Sequence, residues 1–331
     1  MTDRILRWGL LSTAKINRAL LTPLRISPRN RLVGVASSNL AHAQAYAAER
    51  GIPRAFGSYE AMLADPEIDV VYISLPNSLH VEWTIKAAQA GKHVLCEKPL
   101  ALTAEDVDAV AAAAARAGVV VTEAFMYRHH PQTLEIKKLL DGGAIGRLRL
   151  ARGAFTYNLT RPGDVRLDPA LGGGSIWDVG CYPITCARAL IGAEPVEVFG
   201  WQVLGPTGID EAFTGQMRFP GDVYAQFDCG FRAAFRMVME LIGDEGIISV
   251  GNAFKPGVPP ARVLLTRGDQ TETVSVPEQE LYLGEVEDMA DAILLGKPPR
   301  IPLADSRATV ATIRALIQSA REGRAVGMRE A

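Results

Sequence analysis

Apolar runs and helical stretches alternate along the first 122 residues, and this alternation predicts a parallel sheet covered by helices. The runs are apolar along their whole length, which is typical of strands buried on both faces. The predicted strands are 5–11, 32–37, 69–75, 93–96 and 119–122. Helices between them end at Gly51, Gly91 and Gly118, and Asn39 and Thr103 stand before two of them as N-caps. Right-handed crossovers then give a doubly wound sheet.

The pattern changes after residue 125. One helix is predicted at 131–141, another at 175–191, and two close the chain at 281–296 and 305–322. Between them lie longer, alternating strands at 147–157, 196–204, 211–219, 223–232, 236–242, 246–250, 262–267 and 271–276. Alternation of apolar and polar residues indicates a mostly antiparallel open sheet with one covered face. We therefore predict an α/β protein with a Rossmann domain at 1–125 and an α+β domain at 126–331 for substrate binding and oligomerisation.

The composition argues against several classes of function, namely nucleic-acid binding, membrane association and metal binding. The 331 residues are 48% hydrophobic and 22% charged, with a net charge of −2 and no basic block. This balance is that of a globular protein and argues against nucleic acid or a membrane surface as partner. No apolar run reaches the length of about 20 residues that spans a bilayer, and no signal-type segment opens the chain. Four scattered cysteines form no metal or redox pattern, so we expect buried thiols, no metal and a cytoplasmic location.

The first strand leads into a turn that resembles a phosphate-binding loop only in part. The stretch Ser12-Thr13-Ala14-Lys15-Ile16-Asn17 contains none of the glycines of the G-x-G-x-x-G fingerprint. Small residues, two hydroxyls, a lysine and the start of a helix nevertheless favour an anion. An ordinary strand-to-helix turn is the alternative.

The second strand ends in Ser37-Ser38-Asn39, without the carboxylate that binds the ribose of NAD. Hydroxyls and a helix start can instead accept a 2′-phosphate. This strand end favours NADP, although Asn39 also serves as an N-cap.

Two further loops follow predicted strands at the edge where such sheets bind ligands. One is Leu75-Pro76-Asn77-Ser78-Leu79-His80, and the other is Cys96-Glu97-Lys98-Pro99-Leu100. Lys98 lies between a buried strand and a proline turn. A partly buried lysine can have its pKa lowered toward neutrality, which suits proton transfer. The alternative is a surface lysine after a strand.

A third cluster runs from Gly172 through Asp178 to Pro183. Asp178 and Tyr182 are four residues apart, so both project from one face of a helix. The triple glycine at 172–174 permits close approach of another group. Structural alternatives are open: Ser175 and Asp178 fit a capping box, and Tyr182 could be a half-buried tyrosine.

Several motifs in order make the chain similar to the Gfo/Idh/MocA family of oxidoreductases over nearly its whole length. They are Glu97-Lys98-Pro99, the stretch 123–131, the Ile145-Gly146-Arg147-Leu148 turn, the glycines 172–174 through Tyr182, and the final helix around 319–324. Tyrosine at 182 resembles the branch with dimeric dihydrodiol dehydrogenases, NADP-dependent xylose dehydrogenases and glucose–fructose oxidoreductase. That branch tends to use NADP.

The resemblance implies hydride transfer on a sugar or related polyol. Tyr182 would be the general acid/base, Lys98 would stabilise the tyrosinate or bind the same oxygen, and Asp178 would orient a neighbouring hydroxyl. NADP, with NAD possible, would bind at Ser12, Thr13, Ala14, Lys15, Ile16, Ser37, Ser38, Leu75, Pro76, Asn77, His80, Glu97, Lys98, Arg128, Arg166 and Tyr282.

Two other functions stay open: reduction of a diketone or cyclic diol within the same family, and a nicotinamide-binding sensor without turnover. The stretch 157–161 is expected to face the substrate but does not decide between substrates. The large sheet is expected to form a homodimer or homotetramer through an open face carrying Phe213, Val223, Phe227 and Met239 or their neighbours. A polar outer face on a monomer is the alternative.

Overall fold

The computed structural model describes residues 4–161, 163–257 and 262–328. The chain divides into two compact units. The first comprises the residues up to His129 together with Tyr282–Arg307, and the second comprises His130–Leu281 and the chain from Ala308 onward. The segment Tyr282–Arg307 thus packs with the first unit, whereas the sequence predicted a single division after residue 125.

The first unit is a doubly wound parallel sheet, as predicted. Its described strands lie in the order β3-β2-β1-β4-β5-β6, and every neighbouring pair is parallel. The strands are β1 Leu6–Leu11, β2 Asn30–Ala36, β3 Arg54–Phe56, β4 Val70–Ile73, β5 His93–Glu97 and β6 Val121–Ala124. The helices that follow them are α1 Arg18–Ile26, α2 Leu40–Arg50, α3 Tyr59–Leu63, α4 His80–Gln89 and α5 Ala104–Ala117. The order reverses direction between β1 and β4, which is where such sheets bind dinucleotides.

The predicted helix ends are confirmed by their geometry. Asn39 accepts a hydrogen bond from the backbone N–H of His42, and Thr103 accepts one from that of Asp106. Gly51 and Gly118 close α2 and α5 in the left-handed region, with φ of +64° and +66°. The short β3 and α3 were not predicted.

The second unit is built on a sheet whose described strands lie in the order β14-β13-β12-β11-β7-β10-β9-β8-β15. Only β7 and β10 pair in parallel among these strands, and the other pairs are antiparallel. The strands are β7 Leu148–Asn158, β8 Glu197–Leu204, β9 Asp210–Phe219, β10 Val223–Gly230, β11 Arg232–Gly243, β12 Ile247–Gly251, β13 Val263–Arg267, β14 Gln270–Val274 and β15 Val326–Gly327. Its helices are α6 Pro131–Asp141 and α7 Cys181–Ile191. Helix α8 Leu283–Leu295 belongs to the first unit, and α9 Leu303–Glu322 begins in the first unit and continues into the second.

Helices α7 and α9 cover one face of this sheet at short range. A Cβ at Gly153 would lie 2.7 Å from the Cβ of Pro183 in α7. A Cβ at Gly200 would lie 3.1 Å from the carbonyl oxygen of Leu316 in α9. A side chain at Gly153 would clash with α7 and one at Gly200 would be crowded against α9, so glycine at these positions permits the close approach of both helices. The sequence analysis had not assigned α9 to this face.

The other face is exposed, but its residues differ from the four that were named. Phe213, Phe227 and Met239 are buried on the covered face, so their placement on the open face was wrong. Val223, at the start of β10, lies on the same face as Phe227 but is partly exposed. Because side chains alternate between faces, an assignment displaced by one residue selects the opposite face. Apolar residues that do reach solvent on the open face are Trp201, Val203, Tyr224 and Val238, and of these Tyr224 and Val238 are neighbours of named residues, as the prediction allowed.

Within the described part of the chain, no helix has the length and apolar character needed to cross a bilayer. The four cysteines are buried free thiols, as expected. The cytoplasmic location inferred from them stays a prediction. No group of three His, Cys, Asp or Glu side chains among the described residues could hold a metal ion.

Candidate active site

The turn after β1 has a serine in a backbone conformation that usually requires glycine, and hydrogen bonds support it. Ser12 has φ of +143°, a conformation that favours glycine. Its hydroxyl accepts a hydrogen bond from the N–H of Ala14 at 3.1 Å and lies 2.7 Å from the hydroxyl of Ser74. The side-chain amide of Asn17 donates to the carbonyl of Ser12 at 2.7 Å. These contacts offset the backbone strain and hold the turn between β1 and β4.

The same turn offers an anion-binding helix start. A 3-10 turn at Lys15–Asn17 leads directly into α1. The positive end of this helical segment favours a phosphate, and the exposed Lys15 adds charge. Thr13, Ala14 and Ile16 are partly exposed beside it. The residues predicted at the phosphates thus lie together on one turn.

The end of β2 has hydroxyls where a carboxylate would bind an NAD ribose. Ser37 is buried, and its hydroxyl accepts a hydrogen bond from the N–H of Asn39 at 3.3 Å. Ser38 is exposed at the start of α2. A 2′-phosphate at this point would meet a hydroxyl and a helix start, and no carboxylate among residues 37–39 would repel it.

His80 joins the loops that follow β4 and β5. Its ring is 1% exposed, with Nδ1 2.7 Å from the carbonyl oxygen of Pro99 and Nε2 2.8 Å from that of Leu75. Burial lowers the pKa of His80, which favours the neutral ring. Pro76 and Asn77, on the loop that His80 holds, are accessible in part.

Glu97 and Lys98 stand at the end of β5. Glu97 accepts a hydrogen bond from the hydroxyl of Tyr72, whose pKa is raised by burial well above its usual value. Lys98 is partly buried and is joined to Pro99 by a cis peptide bond. The glutamate is thereby fixed on the sheet, and the lysine follows it at the edge where β4 and β5 end.

Arg128 and Tyr282 lie elsewhere in the first unit. Arg128 follows β6, and its Nη1 donates to Asp305 at 3.0 Å. Tyr282 stands at the N-cap of α8 and packs, partly buried, against the core of this unit. Their part in cofactor binding stays a prediction.

In the second unit, the segment carrying Asp178 is anchored by another carboxylate. Asp210 at the start of β9 accepts hydrogen bonds from the hydroxyl of Ser175 at 2.6 Å and the N–H of Ile176 at 2.8 Å. Ser175 therefore does not form the capping box with Asp178 that the sequence allowed. Burial raises the pKa of Asp210 to about 6.

Asp178 is the centre of a polar network. Its Oδ2 accepts hydrogen bonds from the hydroxyl of Tyr157 at 2.9 Å and from Nε of Arg166 at 2.9 Å. Arg166 also contacts Asp164 through Nη1 at 3.1 Å. The structure thus brings Arg166, which the sequence assigned to the cofactor, into contact with the predicted catalytic carboxylate.

Tyr182 lies one turn further on, among aromatic rings. It is 4% exposed, and its ring centroid lies 5.3 Å from that of Phe155 and 5.8 Å from that of Phe254. The residues before it, Ile176–Gly180, form a short π-helical segment that precedes α7. Pro183 has no N–H to continue a regular helix, and π-helical turns are frequent at functional sites.

Sequence reasoning missed Asp164 and Asp210, and it did not assign a role to Tyr157. The expectation that 157–161 faces the substrate was the only signal for Tyr157. Asp164 lies in the irregular stretch before the 3-10 turn Val165–Leu167, and Asp210 lies 32 residues from Asp178 along the chain. No local pattern connects them to Asp178.

Both units match the description of one protein family. Residues 6–125 match an oxidoreductase family with an NAD-binding Rossmann fold, and residues 133–249 match the C-terminal domain of GFO/IDH/MocA proteins. The two matches cover most of the chain.

Three similar proteins illustrate the relationship. D-xylose 1-dehydrogenase (NADP(+)) 2 of Haloferax volcanii is 35% identical, covering 96% of this chain and 98% of its own. Trans-1,2-dihydrobenzene-1,2-diol dehydrogenase of Danio rerio is 34% identical, covering 91% and 92%. The crystal structure of aldose-aldose oxidoreductase from Caulobacter crescentus superposes with a TM-score of 0.91 at 27% identity, covering 98% and 100%.

Proposed function

The chain belongs to the Gfo/Idh/MocA family of NAD(P)-dependent oxidoreductases, and we propose that its substrate is a sugar or related polyol. The reaction is hydride transfer between the cofactor, preferably NADP, and a secondary alcohol or carbonyl of the substrate. Similarity to a xylose dehydrogenase and to an aldose oxidoreductase supports this substrate class.

The first unit fits a nicotinamide dinucleotide. The Ser12–Ile16 turn and the α1 start suit the diphosphate, and Ser37 with Ser38 suits a 2′-phosphate. The loops Leu75–Asn77 and Glu97–Lys98 would hold the nicotinamide. The bound cofactor supplies or accepts the hydride, and the protein supplies binding, orientation and proton transfer.

Proton transfer is assigned to Tyr182, with Lys98 as its partner. Tyr182 gives or takes the proton of the reacting oxygen, and Lys98 stabilises the tyrosinate or binds that oxygen. Asp178 orients a neighbouring substrate hydroxyl. The observation that carries this proposal is the fixed Asp178 carboxylate, one turn before Tyr182 and hydrogen-bonded by Tyr157 and Arg166.

A second candidate is oxidation of a dihydrodiol or reduction of a diketone. The similarity to a dihydrodiol dehydrogenase favours it. A nicotinamide-binding sensor is the third candidate, and the set of Lys98, Asp178 and Tyr182 argues against it because a sensor needs no proton donor.

The assembly proposed is a homodimer or homotetramer through the open sheet face. Exposed Trp201, Tyr224 and Val238 lie there beside cross-strand ion pairs such as Arg218 with Glu197. Apolar groups mixed with paired charges are typical of protein interfaces.

A substrate panel tests the reaction. Aldoses, inositols and cyclic diols are supplied with NADP or NAD, and formation of reduced nicotinamide is followed by absorbance. We expect turnover with at least one sugar or polyol. Turnover confined to diols would support the second candidate, whereas cofactor binding that responds to sugars without turnover would support the sensor.

A further inference from the structure

Arg166 forms hydrogen bonds with two carboxylates, those of Asp178 and Asp164. Its Nε donates to Oδ2 of Asp178 at 2.9 Å. Its Nη1 and its own backbone N–H both contact Oδ1 of Asp164, at 3.1 and 3.0 Å. Asp164 is itself buried. The guanidinium is therefore held by one carboxylate and directed at the other.

Tyr157, in strand β7, is a second hydrogen-bond donor to Asp178. Its hydroxyl donates to the same Oδ2 of Asp178 at 2.9 Å, and its ring lies 5.4 Å from that of Phe231. Two donors from separate elements, β7 and the 3-10 turn Val165–Leu167, thus converge on one oxygen. Such convergence fixes the rotation of a carboxylate, because a single donor would leave it free to turn.

The charges around Asp178 favour its ionised form. Arg166 supplies the positive charge, and the pKa of Arg166 is raised chiefly by Asp178. By reciprocity, the same attraction stabilises the carboxylate. Other groups near Asp178 include the Tyr157 hydroxyl, Asp164 behind the arginine, and the thiol of Cys181, which donates to the Asp178 carbonyl at 3.6 Å.

We propose that Arg166, assisted by Tyr157, is a positioning residue that keeps Asp178 ionised and in one orientation toward a substrate hydroxyl. This inference rests on the proposed function. It replaces the expectation that Arg166 binds the cofactor, and it makes substrates with a donor hydroxyl beside the reacting carbon the preferred class.

The direct test is a ¹³C-carboxyl NMR titration of Asp178, assigned with Asp178→Asn. In Arg166→Met the titration midpoint should rise by about one pH unit, a tenfold gain in proton affinity. Arg166→Lys retains the charge and should restore most of the wild-type midpoint. Arg149→Met, which breaks an exposed ion pair with Asp244, is the matched control and should leave it unchanged. Equal midpoints in wild type and Arg166→Met would overturn the proposal.

Kinetics then separate this proposal from the alternatives. With the best sugar, Arg166→Met should lower kcat/KM about 10- to 100-fold, as expected for a lost hydrogen bond to a charged group. The acid limb of its profile of kcat/KM against pH should shift to higher pH, while the Kd for NADPH is unchanged. Weaker NADPH binding with an unmoved acid limb would make Arg166 a cofactor ligand and contradict the proposal. A wild type inactive on every substrate would refute the proposed function instead, and the NMR titration would still decide the role of Arg166.

Discussion

Ser37 and Ser38 are the single side chains at the end of β2 on which the proposed preference for NADP rests. The buried Ser37 hydroxyl accepts from the Asn39 N–H, and this hydrogen bond shapes the turn into α2. The exposed Ser38 adds a neutral hydroxyl where a carboxylate would bind a ribose and repel a phosphate. At the scale of one residue, the strand end is suited to NADP.

Ser38→Asp should reduce or reverse the preference for NADP. A new carboxylate near a 2′-phosphate adds like-charge repulsion, so we expect the ratio of NAD to NADP affinity to rise at least tenfold, or about 1.4 kcal/mol. Fluorescence titration with both reduced cofactors measures the ratio, and Ser38→Ala serves as the uncharged control. Tighter binding of NAD by the wild type would show that the interpretation of this strand end is wrong.

Whole elements were predicted best where the signals are local. Asn39 and Thr103 mark helix starts, and Gly51 and Gly118 mark helix ends, because caps act within a few residues. β3 has only three residues, too few for a pattern to detect.

Contacts between distant elements could not be predicted. The parallel pairing of β7 with β10 and the contact of Arg166 with Asp178 depend on tertiary packing. Lys98, Asp178 and Tyr182 were predicted from the sequence as site residues, but the contacts that support Asp178 were not.

Asp210 hydrogen-bonds the π-helical segment to β9, and its contribution to the free energy of unfolding depends on pH. Its pKa is raised from 3.8 to about 6 by burial, so the folded state binds a proton more tightly than the unfolded state. The stabilisation of the folded state by protonated Asp210 is complete below about pH 4 and is lost as the pH rises through about 6. The pKa difference corresponds to about 3 kcal/mol.

Asp210→Asn removes this titration. Denaturant unfolding of both proteins between about pH 4 and pH 7 should show the variant gaining up to about 3 kcal/mol relative to wild type as the pH rises. A stability difference that does not vary with pH would contradict the assignment of a buried, proton-binding Asp210.

At the scale of the whole molecule, the large sheet has two unlike faces. Gly153 and Gly200 allow α7 and α9 to cover one. The other exposes Trp201, Tyr224 and Val238, with Trp201 58% accessible. Exposed apolar patches of this kind are unusual on monomers.

Light scattering should therefore give a mass two or four times the chain mass of 35.6 kDa. Trp201→Glu should shift it toward the monomer by placing a charge in the buried interface. Leu295→Glu, at an exposed apolar position of the first unit, is the control and should leave the mass unchanged. A wild-type mass near that of one chain would refute the oligomer.

In the proposed reaction, Tyr182, with Lys98, transfers the proton that accompanies the hydride. The most direct measurement is turnover of Tyr182→Phe and Lys98→Met with the best sugar, beside the Kd of each variant for NADPH. Loss of a general acid/base should lower kcat about 100- to 10,000-fold while folding and NADPH binding stay near wild type. Wild-type turnover in both variants would contradict the claim.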